Sequence, residues 1–343
     1  MNKKTTILDI ARELNVTIST VSRALNNHPG ISLLTKEAVN KVAKSLNYKQ
    51  NKIASSLRSG RTHIIGVLIP SAELHFFGSV IHGIEQVMNQ NGYNILLYQS
   101  NESFEHEKKG IETFLQSNVD GVIASIAMAT TNFDHYHEII KRNIPLVLFD
   151  RVNDAIEAPS VTIDDYQGGY MATEHLIQQG YKNIAHISAP QHIRIFNNRL
   201  KGYIGALEAH NLPVNENLIV YGKVSIESGR ECTKTLFQKS IKPEAIFAVE
   251  DFTALGVMQE IKSYGIKIPQ DFGIIGFANE TFSAYITPPL SSIDQQTKKM
   301  GEEAAKLFIK LWENKKLNQA IPHKIILNPI LIQRESSMKN GFN

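Results

Sequence analysis

Over the first fifty residues apolar positions recur every three or four places, and the interruptions between them are short and polar. In "TILDIARELNVTISTVSRALN", residues 6–26, Ile7, Ile10, Ala11 and Leu14 share one face of a helix, and Val21, Ala24 and Leu25 share one face of the next. Thr6 with Asp9 three positions on is a start signal for the first helix, and Thr17 offers a hydroxyl to cap the second. Between them Asn15 stands where a tight bend calls for a left-handed backbone, which asparagine tolerates, and Val16 is placed to plug the bend. Ile18, Ser19, Ser22 and Arg23 are left outward. A third amphipathic stretch, residues 35–46, sets Ala38, Val39, Val42 and Leu46 on one side. The pattern predicts a three-helix module whose second helix has a free face.

After residue 62 the period changes. The apolar runs "HIIGVLIP", "YNILLYQS", "DGVIASI", "PLVLFD", "NIAHIS", "AIFAVE" and "FGIIGF" alternate with amphipathic helices, a pattern that argues for parallel sheets flanked by helices. The junctions "NQNGYNILL" and "IQQGYKNIAHI" repeat one arrangement, a helix ended by Gly and followed by a strand. Two lobes are therefore expected. In open sheets of this kind ligands bind beyond the carboxyl ends of the strands, which places a candidate site between the lobes.

Charge changes the picture for the opening module alone. Residues 1–62 carry 11 Lys and Arg against 3 Asp and Glu, while the other residues carry 25 against 30. A basic module on an acidic body points to a polyanion partner for the module. A helix-turn-helix docks the N-terminal end of its second helix in the DNA major groove, and the helix start set by Thr17 leaves backbone N–H groups for a phosphate. Apolar residues make up 42% of the 343, but no apolar run approaches the roughly 18 needed to cross a bilayer, so no membrane span is expected. The Lys-containing start leads into an amphipathic pattern rather than an export signal, and a lone cysteine, Cys232, fits a reducing cytoplasm.

Three motifs carry a specific resemblance. "VTISTVSRALN", "LTKEAVNKVAKSLNY" and "NKIASSLRSGRT" closely resemble the DNA-binding headpiece and hinge of the LacI/GalR family of bacterial transcription regulators. The resemblance implies that Ile18 and Ser19 lie against base edges and that Arg23 reaches a guanine or phosphate. Thr6, Thr17, Thr20, Ser22 and Asn26 would join them at the DNA. It identifies residues 51–58 with the family's hinge helix, in which Asn51 and Ala54 keep the pattern and Leu57 is the wedge inserted in the minor groove. Gln50 and Ser55 depart from the Pro and Arg common there.

Most of the remaining chain resembles the family's effector-binding core, similar in fold to periplasmic sugar-binding proteins. "VTIDDYQGGYMATEHLIQQGYKNIAHIS", "RLKGYIGAL", "EDFTALGVMQEIKSYGIKIPQDFGIIGF" and "PPLSSIDQ" carry the match. By it Phe76, Phe77, Asp150, Arg199, Glu250 and Gln295 line the effector pocket, with Ser125 and Val224 nearby. Asp150 and Arg199 would hold hydroxyl groups directionally, and Ala278 stands where many members place Asp. Five of these positions also fit a plainer part: Phe76 and Phe77 as core, Asp150 as a structural cap, Arg199 as a surface ion pair, and Gln295 as a partner for backbone groups.

The expected architecture is an N-terminal all-α helix-turn-helix headpiece (residues 1–49), a hinge helix and linker (50–62), and an α/β two-lobed periplasmic-binding-protein-like core with parallel sheets (63–343). Its N-lobe would take residues 63–162 with 294–328, and its C-lobe 163–291. The expected function is that of a cytoplasmic regulator, a repressor, binding a near-palindromic double-stranded DNA operator as a homodimer. A small molecule in the cleft, a sugar or sugar derivative, would control hinge-helix formation. A transport-type sugar-binding protein fits the core but would need an export signal. An enzyme is disfavoured, since no P-loop, H-E-x-x-H pair, G-x-S-x-G elbow or metal-spaced Cys/His cluster is present, and no cofactor is expected. His135 and His137, two apart on a helix, point apart and make poor joint metal ligands. The tail "QRESSMKNGFN" has no leucine heptads, so a dimer is expected rather than a coiled-coil tetramer.

Overall fold

The computed structural model describes residues 5–48, 61–73, 75–313 and 324–339, and the chain forms two compact units that divide after Thr62. The first unit holds α1 (Ile7–Glu13), α2 (Ile18–Leu25) and α3 (Leu33–Ser45). The backbone N–H and hydroxyl of Thr6 donate to the Asp9 carboxylate at 2.8 and 2.7 Å, which fixes the start of α1. The hydroxyl of Thr17 accepts from the Thr20 N–H at 3.2 Å and starts α2. All three helices end on an asparagine with positive φ, Asn15 at 50°, Asn27 at 53° and Asn47 at 48°. Asparagine is one of the few residues able to close a helix this way. Ile10, Ala11, Val21, Ala24, Val39 and Ala43 form the buried core of the unit, and Val16 packs against it from the bend.

Three expectations for this unit are corrected. α3 begins two residues early, at Leu33, because the Ser32 hydroxyl caps it by accepting from the Thr35 N–H. Its buried stripe is centred on Val39 and Ala43, four apart, with Val42 and Leu46 half-buried at the edge, so Ala38 lies beyond that edge and is exposed. Ser22 is buried rather than outward: the helix end closes on it, with the main-chain and side-chain N–H groups of Asn26 both donating to its carbonyl.

The second unit contains two parallel sheets. β1 (Ile64–Ile69), β2 (Asn94–Gln99), β3 (Gly121–Ala124), β4 (Leu146–Phe149), β5 (Ser160–Ile163) and β11 (Lys324–Leu327) form one in the order β11-β5-β4-β3-β1-β2. Its faces are covered by α4 (His75–Gln90) with α11 (Thr297–Glu313), and by α5 (Phe104–Gln116) with α6 (Asp134–Lys141). The other sheet, in the order β7-β6-β8-β9, consists of β6 (Ile184–Ser188), β7 (Ile219–Tyr221), β8 (Ala245–Ala248) and β9 (Gly273–Ile275). It lies between the pair α7 (Asp165–Gln178) and α8 (Arg194–Ala209) and the pair α9 (Ile226–Phe237) and α10 (Asp251–Ser263). The central strands are buried along their whole length, as a sheet covered on both faces requires, and for that reason they read as continuous apolar runs.

The chain passes between the sheets three times: after β5, through β10 (Ser292–Asp294), and from β11 to β12 (Ile330–Ile332). β10 and β12 pair antiparallel, Ile293 opposite Leu331. The junction glycines of the repeated motif, Gly92 and Gly180, have φ of 74° and 89°. α7 and α8 cross so closely that a Cβ on Gly169 would strike the Arg199 carbonyl and one on Gly202 the Tyr166 carbonyl. This contact fixes the main chain that carries Arg199.

Candidate functional site

Two sites emerge, one in each unit. On the first unit, Thr6, Thr17, Ser19, Arg23 and Asn26 are exposed, Thr20 is half-buried, and Ile18 leaves 47% of its surface in solvent. The Thr17 hydroxyl is shared by Ser19 at 2.7 Å and Thr20 at 2.9 Å, so three hydroxyls cluster at the start of α2. Beside them Ile18 is exposed, and Arg23 follows one turn further along the helix. Polar donors around an apolar tip at a helix N-terminus suit the major groove, where Arg pairs with guanine and an apolar side chain meets a thymine methyl. Asn51, Ala54 and Leu57 lie outside the described residues.

On the second unit, Phe76, Phe77, Asp150, Arg199, Val224, Glu250 and Gln295 all line one cavity of about 230 Å³. Most of the wall comes from the carboxyl ends of strands: Ser71 after β1, Glu102 after β2, Met128 after β3, Asp150 and Arg151 after β4, Val224 after β7, Glu250 after β8, Ala278 and Glu280 after β9, and Gln295 after β10; Phe76 and Phe77 come from α4, and Ile195, Phe196 and Arg199 from α8. Ser125 stands one layer back, its hydroxyl donating to the Asp150 carboxylate at 3.5 Å. A wider cleft of about 420 Å³ shares Asp150, Arg151 and Ile195 with the cavity and continues along Asp154, His192 and Arg194.

Arg199 is 2% exposed and so not a surface ion pair. Its Nε donates to Asp165 at 2.9 Å, one terminal nitrogen to the Val249 carbonyl at 2.9 Å, and the other to Gln295 at 3.3 Å, while its guanidinium stacks 3.6 Å above the Phe277 ring. Arg151 donates to both carboxylate oxygens of Glu102 at 2.7 and 2.8 Å and lies 3.9 Å from Asp150. Asp150 holds a φ of 57°, and burial raises its carboxyl above the usual range against the pull of Arg151 and Arg199. Phe76 and Phe77 meet edge to face at 4.9 Å and serve as core and cavity wall together. Glu250 also caps α10, accepting from the Phe252 N–H at 2.7 Å.

Glu102, Arg151, Phe196 and Glu280 are cavity residues that reading the motifs missed. All but Phe196 follow an apolar run within a few residues, so a search for polar groups just past each run would have found them. Among the described residues no three His, Cys, Asp or Glu side chains are grouped to hold a metal, and no helix is long and apolar enough to cross a membrane. His135 is instead held by the buried carboxylate of Glu107 at 2.9 Å, and His137 by the Ala155 carbonyl at 3.0 Å.

The class these features define is a two-module regulator, a helix-turn-helix with an outward recognition face and a two-sheet body enclosing a small-molecule cavity. Residues 6–51 match the model for bacterial regulatory proteins of the lacI family, and residues 173–337 that for a periplasmic binding protein-like domain. Catabolite control protein A of Priestia megaterium is 34% identical over 324 residues, 93% of this chain and 97% of that protein. Among solved structures, the transcriptional regulator CelR in complex with cellobiose is 26% identical with a TM-score of 0.73, over 97% of this chain and all 100% of that one. The lac repressor dimer bound to operator and an anti-inducer shares the fold at a TM-score of 0.87 and 24% identity, over 98% of this chain and 100% of that one. The chain belongs to the lacI family of bacterial regulatory proteins: it is a ligand-responsive, DNA-binding transcriptional regulator and not an enzyme.

Proposed function

We propose that this regulator is a repressor which reads a near-palindromic operator as a homodimer, each protomer placing the start of α2 in one half-site. The observation that carries this reading is the set of exposed side chains on α2, Ile18 and Ser19 beside the Thr17 cap and Arg23 one turn on, on the basic unit. The operator-bound neighbour is described as a dimer, which supports a two-fold reading, since helix-turn-helix dimers read two half-sites about one helical turn apart. The effector is a polyhydroxylated small molecule of sugar type, held in the cavity by Asp150 and Arg199, as the cellobiose-bound relative supports. Because the target is chromosomal DNA, the site of action is the bacterial cytoplasm. Residues 50–62 link the two units and transmit the response. An effector acts only if it binds the two states of the core with different affinity.

The test is Arg23→Ala in the full chain, with duplex binding followed by fluorescence anisotropy on a sequence selected from random DNA and on a scrambled duplex. Loss of one good base contact is worth about 1–3 kcal/mol, so affinity for the selected sequence falls roughly 5- to 150-fold while the scrambled duplex changes little. Equal loss on both would remove Arg23 from base reading.

A further inference from the structure

The charges around the cavity do not balance. Its two cations are already engaged: Arg151 by Glu102, and Arg199 by Asp165, a carbonyl, Gln295 and an aromatic face. Besides Glu102, three further carboxyl groups stand on the cavity wall, Asp150, Glu250 and Glu280, only 6%, 8% and 3% exposed. Among the described residues neither Glu250 nor Glu280 has a Lys or Arg nitrogen within 4.0 Å; the nearest basic group is the His75 ring, 3.9 Å from Glu280. Glu250 and Glu280 are close enough to feel each other's charge and that of Asp251 behind them.

The placement of Glu280 is built into the fold. Asp251 accepts from the Glu280 backbone N–H at 2.7 Å, from the Ser283 hydroxyl at 2.8 Å and from the Ser292 hydroxyl at 2.7 Å, which pins the loop that carries Glu280 to both β10 and the start of α10. Burial and the neighbouring charge of Asp251 push the Glu280 carboxyl up to about 7, and burial raises Glu250 as well. An empty cavity therefore works against its own acidic wall, and a bound cation would relieve it. Phe76, Phe77 and Phe196 line the same cavity, and aromatic rings attract an ammonium group while giving a neutral hydroxyl little.

We propose that the effector carries a protonated amine, an amino sugar or a similar small amine-bearing polyol, and that its ammonium group sits against Glu250 and Glu280 while Asp150 takes its hydroxyls. This rests on reading the cavity as the effector site. It accounts for the departure at Ala278, where a missing polar side chain is replaced two residues on by Glu280, and it narrows a sugar-type ligand to a cationic one.

The experiment is calorimetric titration of the full-length chain at about pH 6.5 with matched probes: D-glucosamine, D-glucose and N-acetyl-D-glucosamine, and the same three forms of galactose. The expected result is that at least one free amine binds roughly tenfold or more tightly than its hydroxyl and N-acetyl counterparts, about 1.4 kcal/mol or more. Glu280→Gln and Glu250→Gln, nearly the same in shape, should each erase most of that preference, and melting temperatures of the unliganded variants report that they are folded. Neutral sugars binding as tightly as the amines, or no amine binding at all, overturns the proposal. If neutral binding is then lost in Asp150→Asn, the cavity is still the effector site and only the cationic assignment fails. Binding indifferent to Asp150, Glu250 and Glu280 alike would sink both.

Discussion

His186, in the middle of β6, is held between the rings of Tyr203 and Phe247, centroids 5.3 and 4.6 Å away, with Nδ1 paired to the Phe247 carbonyl at 2.9 Å. Burial, aided by the charge of Arg199 and opposed by that carbonyl, pulls its pKa down to about 3. The unfolded chain takes the proton near 6.5 and the folded chain refuses it, so the stability of the neutral fold is lost as pH falls through that window. The loss amounts to roughly 2 kcal/mol by pH 5. His175, lowered to about 4 by burial, adds to it. Glu280 and Asp165, raised to about 7 and about 6, act in the opposite sense: they keep protons that the unfolded chain releases, so their contribution grows as pH falls and offsets part of the loss. Melting temperatures of wild type and His186→Phe at about pH 7 and pH 5 separate these effects. The wild type should lose more between the two pH values than the variant, and equal losses would mean that His186 is not the acid-sensitive group.

Among the elements, the crossing of α7 and α8 does most to position the site, because it holds the segment from which Arg199 reaches Asp165, Val249 and Gln295. Gly202→Ala should push the helices apart at the Tyr166 carbonyl and lower stability by about 1–3 kcal/mol, with weaker effector binding as Arg199 shifts. An unchanged melting temperature would show that the crossing gives way freely. Elements of this kind were legible in the sequence wherever periodicity was strong: each of the seven apolar runs became a strand, Thr6 and Thr17 mark the helix starts and Asn15 the bend they were expected to mark. Ala38 and Ser22 were misjudged because both sit beside the buried stripe, where the exact helix start and the way its end folds decide exposure. Glu280 lies in an aperiodic loop whose path is set by hydrogen bonds to Asp251, and no local pattern announces such long-range bonds. Arg151 and Glu102 find each other across 49 positions, which a motif cannot show.

On the scale of the whole molecule, the division into a basic unit of 62 residues and an acidic body matches the division of tasks, DNA on one and small molecule on the other. The acidic body also repels the DNA backbone, so productive contact should be confined to the basic unit and fade steeply with salt. That the full chain reads a two-fold DNA site with the start of α2 is the claim on which the rest depends. Its most direct measurement is selection of bound sequences from a random duplex pool by the purified full-length chain, followed by titration of the winning sequence at several salt concentrations. The account predicts an inverted repeat, bound far more tightly than a single half-site and with an affinity that drops as salt rises. Enrichment of no common sequence, or of one without two-fold symmetry and without salt dependence, would contradict it.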